Sequence, residues 1–135
     1  VPNLRGGTVD KKRQEMPNEP HAAARVIIVD PRRTVTVAAC EAEAGKDNVL
    51  HLQINSGTDL ALFNALLTEI ASKGWVDRGF IAASTSGYDA AVRANRTSVE
   101  EAARITGLRA EDIRKAAAWI AEPKQGGARR RTMFA

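Results

Sequence analysis

Apolar residues along this chain form two short strand-like runs, followed by several stretches at helical spacing. The first run, Val26 to Val29, follows Arg25 and is β-branched throughout, as in a strand of a parallel sheet covered on both faces. The second, Val49 to Ile54, alternates apolar residues with His51 and Gln53 and is also predicted to be a strand. Between them Thr34 to Ala44 fits either an extended segment or a short helix, and Gly45-Lys46-Asp47-Asn48 marks a turn. Beyond Asn55-Ser56-Gly57-Thr58-Asp59 a helix is predicted, with Leu60, Phe63, Leu66, Leu67 and Ile70 as its inward stripe and Lys73-Gly74 as its end. Asp77 can cap a short helix through Ala83, and Gly87 to Asn95 is a further helical candidate. Ser98 and Glu101 have capping-box spacing for a helix that reaches about Thr106 and stops at Gly107. The last predicted helix, Ala110 to Ala121, turns Ile113, Ala117 and Ile120 inward; a loop over Pro123 to Ala128 leads to a third strand from Arg130 to Ala135. Residues 1–24, with Pro2, Gly6-Gly7, Pro17 and Pro20, are predicted to be a loop or connector. Two strands, a set of helices and a returning strand place residues 25–135 in the α/β class, as a partial Rossmann-like parallel-sheet unit with flanking helices.

With 135 residues the chain can bury a core, yet it opens on Val1 rather than Met and closes on what reads as an interrupted strand, so it is expected to be a piece of a longer polypeptide. No apolar stretch approaches the roughly 20 residues of a membrane-spanning helix, and no signal peptide is visible. The net charge of +4 would suit an anionic partner, but the basic residues are scattered apart from Lys11-Lys12-Arg13, Arg32-Arg33 and Arg129 to Arg131. Aromatic residues make up 4% of the chain, too few to stack on single-stranded nucleic acid, so a nucleic-acid partner is not expected. Cys40 is the single cysteine, so this chain by itself builds no disulfide, zinc site or iron–sulfur site. It is expected to be a half-buried small residue. His21 falls in the Pro-rich segment, and His51 is expected to point off a strand face rather than toward a metal.

Candidate chemistry gathers at the ends of the two predicted strands. After Val29 come Asp30, Pro31, Arg32 and Arg33. The carboxyl ends of strands are where open α/β sheets bind ligands, and an acid there can accept hydrogen bonds from both hydroxyls of a ribose. Pro31 stops the strand, and the guanidinium forks of Arg32 and Arg33 suit a phosphate or the face of a base. A surface turn carrying solvated charges is the alternative. At the second strand's end, Gly57 allows close approach of a ligand, while Thr58 and Asp59 stand at a helix start, where backbone amides and the helix dipole favour an anion or a polar edge. Read alone, Thr58 and Asp59 are better explained as helix-capping residues. If the two strands are neighbours, however, both loops face one crevice. A Gly-x-Gly-x-x-Gly loop, a Walker loop, a Ser-His-Asp set and a metal-spaced His pair are all missing from the sequence, so no residue is assigned a catalytic or metal-binding role.

Three spaced blocks resemble a known family: Ile28 to Thr34, Leu50 to Leu62, and Gly74 to Ile81. They are similar to the molybdopterin oxidoreductases of the dimethyl sulfoxide reductase superfamily. Within it the spelling of Pro31 to Val37, Ala39-Cys40-Glu41, Ile54-Asn55-Ser56 and Arg131 to Ala135 is most like that of arsenite oxidase large subunits. The resemblance implies that 25–135 belong to an α/β domain of a multidomain enzyme that holds one guanosine of a molybdenum bis(molybdopterin guanine dinucleotide). Val29, Asp30, Pro31, Arg32, Arg33, Gly57, Thr58 and Asp59 would then be the cofactor-binding residues, with Asp59 on the guanine. It further implies a [3Fe-4S] cluster whose ligands lie outside these residues, a small Rieske iron–sulfur partner, a cytochrome c or copper-protein electron acceptor, arsenite as substrate and a periplasmic location. These 135 residues alone are expected to be inactive. The alternatives left open are a formate dehydrogenase or nitrate reductase of the same superfamily, and a non-enzymatic nucleotide-binding module.

Overall fold

The chain is described here by a computed structural model that covers residues 24–129 and 131–135, so the predicted connector, apart from Ala24, lies outside the described residues, as does Arg130. Strands β1 (Val26–Val29) and β2 (Val49–Leu52) pair in parallel, in a register that sets Val26 beside Val49 and Val29 beside Leu52. Parallel neighbours cannot be joined by a tight turn and need a crossover, usually helical. Helix α1 (Val35–Ala44) supplies it, and thereby settles the segment whose composition fitted either conformation. Gly45, at a φ of 82°, then leads through a short 3-10 turn over Lys46–Asn48 into β2.

Five more helices follow: α2 (Asp59–Ser72), α3 (Arg78–Ser84), α4 (Tyr88–Ala94), α5 (Val99–Thr106) and α6 (Ala110–Ala121). Successive strand residues point to opposite faces. On one face Leu50 and Leu52 join a core with Leu62, Ala65 and Leu66 of α2, Val99 and Ala102 of α5, and Ile113, Ala116 and Ala117 of α6. The four alanines at these contacts let the helices approach closely. On the other face is His51, whose charge reaches Glu41 of α1, and α1 lies against both strands with Val37 fully buried. The strands thus have helices on both sides, as the continuous apolar character of β1 requires.

The helix boundaries follow local chemistry. Asp77 Oδ1 accepts the Phe80 amide at 2.8 Å and Ser98 Oγ accepts the Glu101 amide at 3.1 Å, so both predicted caps form. Gly107 ends α5 in the left-handed region at a φ of 77°, and a Cβ there would come within 3.1 Å of the Asn55 amide group. That closeness matters for the site. The Asn55 backbone N–H donates to the Thr106 carbonyl at 2.8 Å and its side chain donates to the Ile105 carbonyl at 3.2 Å, so the loop after β2 is pinned to the end of α5.

Three expectations need correction. The stripe of α2 is rotated: Leu62, Ala65 and Leu66 are buried, whereas Leu60 and Phe63 are 68% and 47% exposed. Strand β2 ends at Leu52 rather than Ile54, although Ile54 still joins the core. Residues 131–135 form no strand, because β1 and β2 pair only with each other among the described residues. Instead, Thr132 donates its hydroxyl to the Ile120 carbonyl at 2.8 Å.

Candidate functional site

Because β1 and β2 are parallel and adjacent, the loops that leave their carboxyl ends lie at the same edge of the sheet. The predicted strand-end residues, Val29 to Arg33 and Gly57 to Asp59, are therefore brought to one side of the molecule. Val29, the last residue of β1, is half-exposed there, and the Asp30 amide donates to the Leu52 carbonyl at 3.2 Å, carrying the pairing one residue past the strand.

The first loop is held from three directions. Asp30 Oδ1 accepts the Arg32 amide at 2.7 Å, a tight local turn that fixes one carboxylate oxygen and leaves the other without a partner among the described residues. From β2 and the residue just past it, His51 Nε2 donates to the Asp30 carbonyl at 3.0 Å and Gln53 Nε2 donates to the Pro31 carbonyl at 3.1 Å. From α1, Glu41 Oε2 takes a hydrogen bond from Arg33 Nη2 at 2.5 Å. The two arginines consequently differ. Arg33 is committed to a protein carboxylate, while Arg32 has no side-chain partner among the described residues and keeps its fork available. The sequence offered both as equal ligand groups and gave no sign of His51, Gln53 or Glu41 as supports. A register prediction for β1 and β2 would have found the first two, since it sets Ile28 opposite His51.

The hydrogen bond from Arg33 holds the Glu41 carboxyl below the ordinary glutamate range; burial opposes this, and the charges of Arg33, Lys46 and His51 reinforce it. A carboxyl depressed in the folded state stabilises that state above its unfolded pKa, and the contribution disappears as the pH falls through the lower folded value. Arg33→Ala is therefore expected to move the Glu41 carboxyl resonance's titration up into the normal glutamate range in a ¹³C NMR experiment. An unmoved titration would show that Arg33 is not what holds the carboxylate.

The second loop is organised differently from the expectation of a capped helix. Thr58 occupies the cap position of α2 but makes no side-chain cap; its hydroxyl donates back to the Asn55 carbonyl at 2.7 Å. Gly57 adopts a φ of 77° and a Cβ on it would meet nothing within 4 Å, so this side of the loop is open. Asp59, in the first turn of α2, is exposed, and its carboxylate has no partner among the described residues. It stands at the positive end of the helix dipole. A carboxylate so placed can accept two neighbouring N–H donors at once.

No group of three or more potential metal ligands occurs among the described residues, nor is any of their helices long and apolar enough to cross a membrane. Cys40 is a free, half-buried thiol.

Across its full length the chain is 47% identical to arsenite oxidase subunit AioA of Herminiimonas arsenicoxydans, of which it spans 16%. The chain belongs to the molybdopterin oxidoreductases of the dimethyl sulfoxide reductase superfamily. Iodate reductase subunit IdrA of Denitromonas iodatirespirans is 34% identical over 82% of the chain and 16% of its own length. Among solved structures, acetylene hydratase from Pelobacter acetylenicus superposes with a TM-score of 0.63 at 28% identity, over 73% of the chain and 12% of its own. No family model matches the sequence. The chain thus spans about a sixth of the length of these curated relatives. For a molybdopterin oxidoreductase, the α/β fold of this segment agrees with the class read from the sequence.

Proposed function

We propose that this chain is the part of a longer molybdenum enzyme subunit that grips one guanosine of a bis(molybdopterin guanine dinucleotide), and that the full-length protein oxidises arsenite to arsenate. The observation that carries the site reading is the unpaired Asp59 carboxylate beside the open Gly57, at the same sheet edge as Asp30 to Arg33. A guanine's ring N–H and amino group are adjacent donors, and a free carboxylate is their natural acceptor. Asp30 offers its free oxygen to ribose hydroxyls, and Arg32 offers its fork to a phosphate or to the base face. Thr58 and Arg33 shape the two loops, and Val29 and Pro31 end the strand so that the polar groups stand clear of it. The donor set fits the group.

When bound, the molybdenum cofactor supplies the two-electron oxygen-atom transfer, and the protein places and tunes it. None of the residues in this chain is assigned a catalytic role. The 47% identity to an arsenite oxidase subunit supports arsenite as the substrate. With that substrate go a [3Fe-4S] cluster held by other parts of the protein, a small Rieske partner, a cytochrome c or copper-protein acceptor, and a periplasmic location.

Purified full-length protein is expected to contain molybdenum by elemental analysis and to oxidise arsenite. Turnover of formate or nitrate without arsenite would move it to another branch of the superfamily. A molybdenum-free protein would leave a nucleotide-binding module without redox chemistry, and arsenite oxidation by these 135 residues alone would overturn the absence of catalytic groups.

A further inference from the structure

We infer that His51 and Gln53 are positioning residues for the nucleotide loop, setting Asp30 and Arg32 through the backbone rather than by touching the ligand; this rests on the guanosine reading above. His51 lies on β2 and Gln53 one residue past its end, and the two side chains reach successive carbonyls of the loop after β1: Asp30 at 3.0 Å and Pro31 at 3.1 Å. Their targets lie 21 and 22 residues away, so the bonds convert strand register directly into loop conformation. Pro31 has no amide with which to secure the loop itself. Among the described residues the one other backbone anchor of this turn is the Asp30 amide on Leu52 at 3.2 Å. Without the two side-chain donors, the turn from Asp30 to Arg32 would be held by that one bond at its start, by its own local Asp30–Arg32 bond and by the distant Arg33–Glu41 contact. Gln53 is exposed and contributes no core packing, so its side chain is free to serve the loop alone.

The titratable and charged groups facing His51 are the Glu41 carboxylate of α1 and, through it, Arg33. The inference concerns the Nε2–H donor and requires no change in charge. His51→Gln can present an N–H in its place, whereas His51→Ala cannot; Gln53→Glu keeps the shape and replaces the donor by an acceptor facing a carbonyl.

The test uses full-length protein prepared without its cofactor, with guanosine diphosphate as the probe in equilibrium dialysis and the thermal midpoint read on the same samples. Losing one such hydrogen bond is expected to weaken binding by about 2- to 12-fold. Gln53→Glu and His51→Ala should show that loss while the protein remains folded at the temperature of the dialysis, and His51→Gln should restore the affinity. Parallel losses of midpoint and affinity in all three variants would make the pair part of the fold and overturn the inference. If Asp59→Ala weakens the nucleotide while Gln53→Glu and His51→Ala do not, this inference fails and the guanosine reading stands. If unmodified protein does not bind the probe, the guanosine reading itself fails and takes the inference with it.

Discussion

Replacing Leu62 with alanine is expected to destabilise this chain by about 2–5 kcal/mol, while the same change at Leu60, two residues earlier in the same helix, should cost less than about 1 kcal/mol. Leu62 has no exposed surface and lies in the core formed by β2, α2, α5 and α6, which leaves little room for its neighbours to collapse into the vacated volume. Leu60 is 68% exposed, so its truncation removes mostly solvated atoms. Urea unfolding of the two variants measures the difference directly. Equal costs would mean that α2 is rotated about its axis relative to the structure described here, with Leu60 turned inward as the bare pattern suggests.

That pair of leucines also marks what the sequence could and could not reveal. The segment Asp59–Ser72 is apolar on more than one side, with Leu60, Leu62, Phe63, Leu66, Leu67 and Ile70 all available, so periodicity alone admits several rotations. Alanines break the tie. Ala65, Ala102, Ala116 and Ala117 meet at the helix contacts, and the rotation that brings the small residues together is the one adopted. Such a choice depends on α5 and α6 and cannot be made within α2. Helix starts and stops were legible for the opposite reason: Asp77, Ser98 and Gly107 act on backbone groups within a few residues of themselves. A strand, by contrast, exists only by pairing, and residues 131–135 find no strand to pair with among the described residues.

The candidate site divides along the same line. Its placement was legible, because the apolar β-branched run of β1 implies a parallel sheet and parallel neighbours put their carboxyl ends on one edge. The same reasoning would have settled the segment from Thr34 to Ala44, since a parallel pair needs a crossover and α1 is the stretch able to provide it. The internal bonding was not legible. Arg33 is tied to Glu41 and Thr58 to the Asn55 carbonyl, so two residues with plausible ligand groups are occupied by the protein, whereas Asp59 and Arg32 remain available.

The availability of Asp59 leads to the sharpest expectation for the site. In full-length protein prepared without cofactor, Asp59→Ala should weaken guanosine diphosphate by about 5- to 150-fold for each guanine donor left unpaired, following a cost of about 1–3 kcal/mol per donor. Asp59→Asn is expected to do at least as much damage, since its amide N–H₂ would oppose the amino group of guanine, donor against donor. Xanthine, though, carries an oxygen where guanine carries that amino group. An asparagine can accept from the ring N–H and donate to this oxygen, so Asp59→Asn should shift preference from guanosine to xanthosine diphosphate, while Asp59→Ala should bind neither well. The exchange of partners separates a base-reading carboxylate from one that only stabilises the start of α2: loss of a helix-end charge would lower the thermal midpoint and leave the ratio of the two nucleotides untouched. A ratio unchanged in Asp59→Asn would therefore remove Asp59 from the base-binding site, whatever happened to the overall affinity.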